Sequence, residues 1–263
     1  MSPGQRAEAR IAELGIRDPR DLDVEAIAAD AGVTVRYESL AGCEATLVGY
    51  GQRAIATIRR SPVRGRERFS VGHELAHWEL HRGWSFRCRV DEPALNLESN
   101  VSLEREADEF SSHLLMPKPL FNPAVQAHRW PSIAQLQDIA GTFQTSQAAT
   151  LIRLAKVDTL PVIVASYSLE GRLWSCAARH VPRKWRLKPR LDPDSFAHEL
   201  LTRGTPTLAP RKQSADAWFE NDEAERHEVL EQCVPGMPGK VLVTLYLGEE
   251  EMFDEGYDPD SRW

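Results

Sequence analysis

His73-Glu74-Leu75-Ala76-His77, preceded by Arg68-Phe69-Ser70-Val71-Gly72 and followed by Trp78-Glu79-Leu80-His81, is the stretch on which the reading of this chain turns. Two histidines four residues apart on a helix project from one face, close enough to share a metal ion. The glutamate after the first histidine borders the same cleft, where a carboxylate can take a proton from water instead of binding the metal. Phe69, Gly72, Ala76 and Leu80 recur at spacings of three and four and predict the apolar stripe of that helix. His73 and His77 sit immediately beside the stripe, so they are expected at a cleft wall.

A catalytic zinc site needs three protein ligands and one open position. Leu80 and Gly83 close one route to the third ligand, which would require a glycine at 80 and a histidine at 83. His81 lies eight residues beyond His73, about 12 Å along a helix axis, too far to join the same ion. It is expected either in water or behind a ligand. A second helix, over about 102–116, supplies the candidates. Leu103, Ala107, Phe110 and Leu114 form its inward stripe, flanked on opposite sides by Glu104 and Glu106. Periodicity alone does not choose between the two. Asp108 stands one turn beyond Glu104 on the same edge, where it could accept the spare N–H of a ligating histidine. Glu104 is therefore the expected ligand and Glu106 the alternative.

With Arg68 to His77, Glu104-x-x-Ala107-Asp108-x-Phe110 and Leu114-Leu115-Met116-Pro117 in view, the sequence resembles the ImmA/IrrE family of bacterial metallopeptidases over about residues 20–155. The resemblance implies a zincin-like fold with His73, His77 and Glu104 as metal ligands and Glu74 as the catalytic base. It implies a cytoplasmic zinc endopeptidase, with manganese as the alternative metal. The implied substrate is a helix-turn-helix transcriptional repressor, whose cleavage would free its target genes under stress or during mobile-element induction. Ser111-Ser112-His113 departs from the small apolar residues usual there. His113, Tyr37 and Tyr50 are candidates for polarising the scissile carbonyl, and the sequence does not select among them.

Around this centre the chain is expected to be α+β, in three parts. Residues 1–119 form the metallopeptidase domain. Its elements are a helix at 5–15, a second capped by Asp23 and closed by Gly32, strands at 33–37, 46–48 and 54–58, and the two site helices. A polar loop containing Cys88 separates the site helices, and Met116-Pro117-Lys118-Pro119 ends the second. Residues 120–158 form a small helical domain. Pro131-Ser132 opens one helix, Gly141 interrupts it, and Ser146 caps the next. Ile139 to Leu154 resembles a helix-turn-helix, with Gln147, Thr150 and Arg153 expected to face outward. Residues 159–263 form a C-terminal α+β domain, sensor-like in the manner of GAF or PAS domains or used for docking a partner. A hairpin turns at Glu170-Gly171, a short helix covers 196–201, a strand covers 241–246, and an acidic tail runs from Glu249 to Asp260. Arg179 to Arg190 forms a basic patch around Trp185, expected as a solvated loop with a packed tryptophan.

The chain has 263 residues, 42% apolar and 27% charged, which excludes a disordered or fibrous protein. No stretch approaches the roughly 18–20 uncharged apolar residues of a membrane span. The first residues show no apolar secretory segment, and Cys43, Cys88, Cys176 and Cys233 form no C-x-x-C pair, so a reducing cytoplasm is expected. The net charge of -7 argues against a protein whose main work is holding nucleic acid. A DNA-binding regulator with an inactive protease fold is the alternative function, and DNA the secondary partner.

Overall fold

The computed structural model describes residues 1–82, 86–89 and 97–253, with 86–89 and 97–100 as backbone only. The chain is α+β and divides into two units, Met1–Pro123 with Ala140–Ser146, and Ala124–Ile139 with Gln147–Trp263.

In the first unit, α1 (Pro3–Glu13) is opened by a Ser2/Gln5 capping box and α2 (Val24–Asp30) by the Asp23 carboxylate on Ala26 N–H. Gly32 ends α2 at φ 84, and a Cβ there would meet the Gln52 carbonyl at 2.6 Å, so only glycine fits. Strands β1 (Val33–Glu38), β2 (Cys43–Tyr50), β3 (Arg53–Arg59) and β4 (Phe86–Arg89) form a sheet of order β1-β3-β2-β4. β1 runs parallel to β3, and β2 pairs antiparallel with β3 and β4. Helix α3 (Arg64–Leu80) packs on β2 and β3 and against α4 (Leu97–Leu115).

β4 corrects the expectation of a loop at Cys88: its backbone pairs with Ala45, while its side chain lies outside the described residues. The stripe expected for α3 is also too narrow. Val71, Leu75 and Trp78 are as buried as Gly72 and Ala76, whereas Phe69 and Leu80 are half-buried. The helix lies between a sheet and a second helix, so it buries far more of its circumference than a surface helix does.

Close approach of α3 to α4 is set at Gly72. A Cβ there would stand 2.5 Å from Ser111 Oγ, and that hydroxyl donates to the Phe69 carbonyl at 2.8 Å. The polar Ser111 is thus fully buried yet satisfied.

Helix α5 (Lys118–Gln126) starts directly after the expected stop, since Pro119 falls in its first turn, where a missing N–H costs little. Gly141 does not break α6 (Ile133–Phe143), which runs through it. The turn comes at Gln144, held at φ 51, and α7 (Gln147–Lys156) follows. Thr150 and Arg153 are fully buried, against the expectation that they face outward, because the buried face of α7 extends over both.

The second unit is built on an antiparallel sheet of order β6-β5-β9-β8-β7. Its strands are β5 (Val162–Ser168), β6 (Gly171–Ala177), β7 (Thr207–Ser214), β8 (Glu228–Pro235) and β9 (Val241–Leu247). The run Val241-Leu242-Val243-Thr244-Leu245-Tyr246-Leu247 is buried throughout, as is β5. α8 (Phe196–Arg203) packs on β8 and β9, while α7 lies on β5 and β6. In the basic patch Trp185 is buried and donates to the Met252 carbonyl at 2.6 Å; Lys184 pairs with Glu223, and Arg183 and Arg186 are exposed. The acidic tail forms one short turn over Glu250–Phe253, and its remainder lies outside the described residues. Cys43, Cys176 and Cys233 are free.

Among the described residues, Glu231 is the buried acid of this unit. Its Oε1 accepts from Ala197 N–H at the start of α8 at 2.7 Å, and its Oε2 from Trp218 Nε1 at 2.8 Å. Burial pushes its carboxyl up to about 7 although these donors favour the anion. The folded state therefore holds a proton that the unfolded chain releases near 4.5. The resulting stability is complete below pH 4.5 and is lost as pH rises through 7, about 3 kcal/mol at most. Urea unfolding followed by tryptophan fluorescence should show this decline for the wild type. Glu231→Gln should flatten it, and an unchanged pH slope would remove Glu231 as its source.

Candidate metal centre

The site is made by two helices. His73 and His77 stand one turn apart on α3, and Glu104 stands on α4. His73 Nε2 lies 3.0 Å from His77 Nε2 and 3.0 Å from Glu104 Oε2, and His77 Nε2 lies 3.4 Å from Glu104 Oε1. A tetrahedral ion with bonds of 2.0–2.1 Å spaces its ligand atoms about 3.3 Å apart. The three side chains therefore already present their donor atoms at a spacing one ion can use. Two imidazoles and a carboxylate also form a ligand set that zinc accepts with an open fourth position.

Protonation fits as well. Burial holds His77 below the ordinary histidine range, keeping it neutral. Burial opposes ionisation of Glu104, but hydrogen bonds with His73 and His77 outweigh it and bring the carboxyl down to about 2, and the Nε2 protons such bonds need are the ones an ion at this place would displace. Neutral imidazole and ionised carboxylate are the forms that bind a metal.

The outer nitrogens are occupied. Asp108 Oδ1 lies 3.0 Å from His73 Nδ1, on the edge where Asp108 and Glu104 are one turn apart. His77 Nδ1 lies 3.0 Å from His81 Nδ1, and His81 Nε2 lies 3.2 Å from Glu106 Oε2. Glu106, the alternative ligand in the sequence, is thus turned to His81, and Glu104 to the histidine pair. Glu74 is on α3 beside His73 and is fully buried.

Of the two places expected for His81, the structure shows the one behind a candidate ligand, His77. His81 lies eight residues from His73, too far to share its ion. The useful spacing is the four residues to His77, which brings their rings within 5.2 Å of each other.

Of the candidate carbonyl polarisers, Tyr37 and His113 have other partners, and Tyr50 stands in solvent. The Tyr37 hydroxyl bonds Glu25 and accepts from Arg64 at 3.2 Å, and burial together with Glu25 pushes it up to about 12. His113 Nδ1 is 2.8 Å from Glu8 Oε1, and Tyr50 is 93% exposed.

Residues 28–155 match the family model described as the IrrE N-terminal-like domain, a peptidase family. The match covers 128 of the 263 residues. The domain is zincin-like and contains every residue of the centre described above. No curated protein matches the sequence. Among solved structures, a Mycobacterium tuberculosis transcriptional regulator is similar, with a TM-score of 0.59 and 16% identity over 92% of this chain and 74% of that one. At that identity the likeness concerns the fold alone. Among the described residues, no helix is long and apolar enough to cross a membrane.

Proposed function

We propose that the chain is a cytoplasmic zinc-dependent endopeptidase that cleaves a helix-turn-helix transcriptional repressor, relieving repression under stress or during mobile-element induction. The observation that carries the reading is the triangle of His73 Nε2, His77 Nε2 and a Glu104 oxygen, inside a domain of a peptidase family. In this reading His73, His77 and Glu104 hold zinc, or manganese in its place, and Glu74 is the catalytic base. The bound ion supplies Lewis acidity to the water and to the scissile carbonyl. Glu74 accepts the proton of the attacking water on a carboxylate oxygen and returns it to the leaving amine nitrogen. Asp108 holds the outer N–H of His73, so that the inner nitrogen keeps its lone pair.

The division into a metallopeptidase domain at 1–119, a helix-turn-helix-like domain at 120–158 and a C-terminal domain at 159–263 belongs to the same proposal. A sensor role of the GAF or PAS kind for the last part is supported by its five-stranded antiparallel sheet. A cleft of about 300 Å³ lined by Ile163, Arg172, Trp185, Arg186 and Glu220 offers it a ligand site.

The test is incubation of the full chain with helix-turn-helix repressors encoded beside it, with and without a chelator. Chelator-sensitive appearance of discrete repressor fragments is expected. Fragments formed equally with chelator present, or none with any such repressor in the zinc-loaded protein, would overturn the reading.

A second reading, a DNA-binding regulator, is favoured by the transcriptional regulator among the structural neighbours. Burial of Thr150 and Arg153 on α7 and the net charge of -7 weigh against it. A gel shift at two salt concentrations separates the two, since phosphate-driven binding weakens steeply with salt.

A further inference from the structure

We infer that His81 and Glu106 are positioning residues for His77. They form a hydrogen-bonded relay that fixes which nitrogen of that ligand carries the proton. The inference rests on the metal-site reading above.

The proton assignment follows from geometry. His77 Nε2 faces His73 Nε2 at 3.0 Å and Glu104 Oε1 at 3.4 Å, so it is the nitrogen that must carry a lone pair. The ring proton then resides on Nδ1, where His81 Nδ1 is the group 3.0 Å away. A neutral His81 can accept there only if its own proton is on Nε2. That nitrogen lies 3.2 Å from Glu106 Oε2, and a carboxylate accepts. With both rings neutral, this is the single arrangement that satisfies both contacts and leaves the inner nitrogen open. The second oxygen of Glu106 accepts from Ser102 Oγ at 3.4 Å, one turn earlier on α4.

Burial makes the relay consequential. His77 is fully buried and His81 is 7% exposed, so water competes poorly for the His77 Nδ1 proton. Without an acceptor at His81, the buried His77 N–H loses the contact made at 3.0 Å, and the balance moves toward a turned ring or a proton on Nε2. Either change spoils the inner nitrogen as a ligand. Loss of an outer partner of this kind typically lowers metal affinity 10–100-fold. The two histidine ligands are thus held differently, His73 directly by Asp108 and His77 through a second imidazole.

The experiment compares the full chain with His81→Phe, His81→Gln and Glu106→Gln. Zinc affinity is measured by competition with a chromophoric chelator. The His77 tautomer is measured in the metal-free protein by imidazole ¹⁵N shifts. His81→Phe should lose about 10–100-fold in zinc affinity and shift His77 away from the Nδ1–H form. His81→Gln keeps an oxygen acceptor toward His77 and an amide donor toward Glu106, and should recover most of both. Glu106→Gln, at a half-exposed position, should give a smaller loss in the same direction. Wild-type zinc affinity and His77 tautomer retained in His81→Phe would overturn the relay. If the wild type bound no zinc, the metal-site reading would fail, and the tautomer shifts would still decide the relay. Should His81→Phe not fold, the other two variants carry the same comparison.

Discussion

Glu104→Ala should lower zinc affinity by about 10²–10³-fold. Structural zinc sites with four protein ligands are worth about 10–16 kcal/mol, or roughly 2.5–4 kcal/mol for each ligand, which sets that range. Glu104 touches both histidines of the pair, so its removal takes away one corner of the triangle. Its side chain is 43% exposed, and the helix beneath it is anchored by Ala107, Phe110 and Leu114, all buried. The variant should therefore keep wild-type circular dichroism and lose only the ion. Glu106→Ala is the informative comparison, because sequence periodicity left the two glutamates equivalent. Glu106 meets His81 and not the histidine pair that Glu104 touches, so its loss should be nearer tenfold. Elemental analysis after dialysis against a weak chelator reads both variants. Equal losses, or a larger one for Glu106→Ala, would reverse the ligand assignment.

The cluster of candidate ligands was legible in the sequence because residue types that can bind a metal stand there at rigid helical spacings. His73, His77 and the Glu104/Asp108 edge follow from 3.6 residues per turn, and the structure brings all four side chains together. The helices and the strong strands followed for similar reasons: Asp23 caps α2, and Val241 to Leu247 is an unbroken apolar run. What was missed shares a cause. β8 carries Glu231 and Gln232 at fully buried positions, so its sequence reads as polar although it is a core strand. Distant parts of the chain supply their partners: Ala197 and Trp218 donate to Glu231, and Gln232 Nε2 donates to the Pro131 carbonyl. β7 contains Pro210 and mostly exposed residues, as suits an edge strand, where proline is tolerated. β4 has only four residues and takes its identity from pairing with β2. Thr150 and Arg153 on α7 were expected outside because their side chains are polar, and they are buried all the same. In each case long-range contacts outweigh local pattern, and single-sequence periodicity carries no information about them.

Glu74→Gln should retain zinc within a few-fold of wild type and lower repressor cleavage by about 10²–10⁴-fold, the range a positioned proton acceptor contributes. The substitution separates two roles a carboxylate beside a metal pair can play. If Glu74 were a ligand, removing its charge would release the ion. In the proposed reading the triangle of His73, His77 and Glu104 would supply the three protein ligands of an open catalytic site, so Glu74 is not needed to complete it. The amide of glutamine matches the shape of the carboxylate but cannot take a proton from the attacking water. Because Glu74 is fully buried, any change there also risks the fold, and the thermal unfolding of each variant should be compared with wild type. Glu74→Asp keeps the acid but withdraws it by about one carbon–carbon bond length, and a base must lie within about 2.6–3.2 Å of the proton it takes. It should therefore fall between wild type and Glu74→Gln in rate while also keeping zinc. A Glu74→Gln protein that lost its zinc would make Glu74 a ligand. One that kept zinc and cleaved at the wild-type rate would assign the proton transfer to another group.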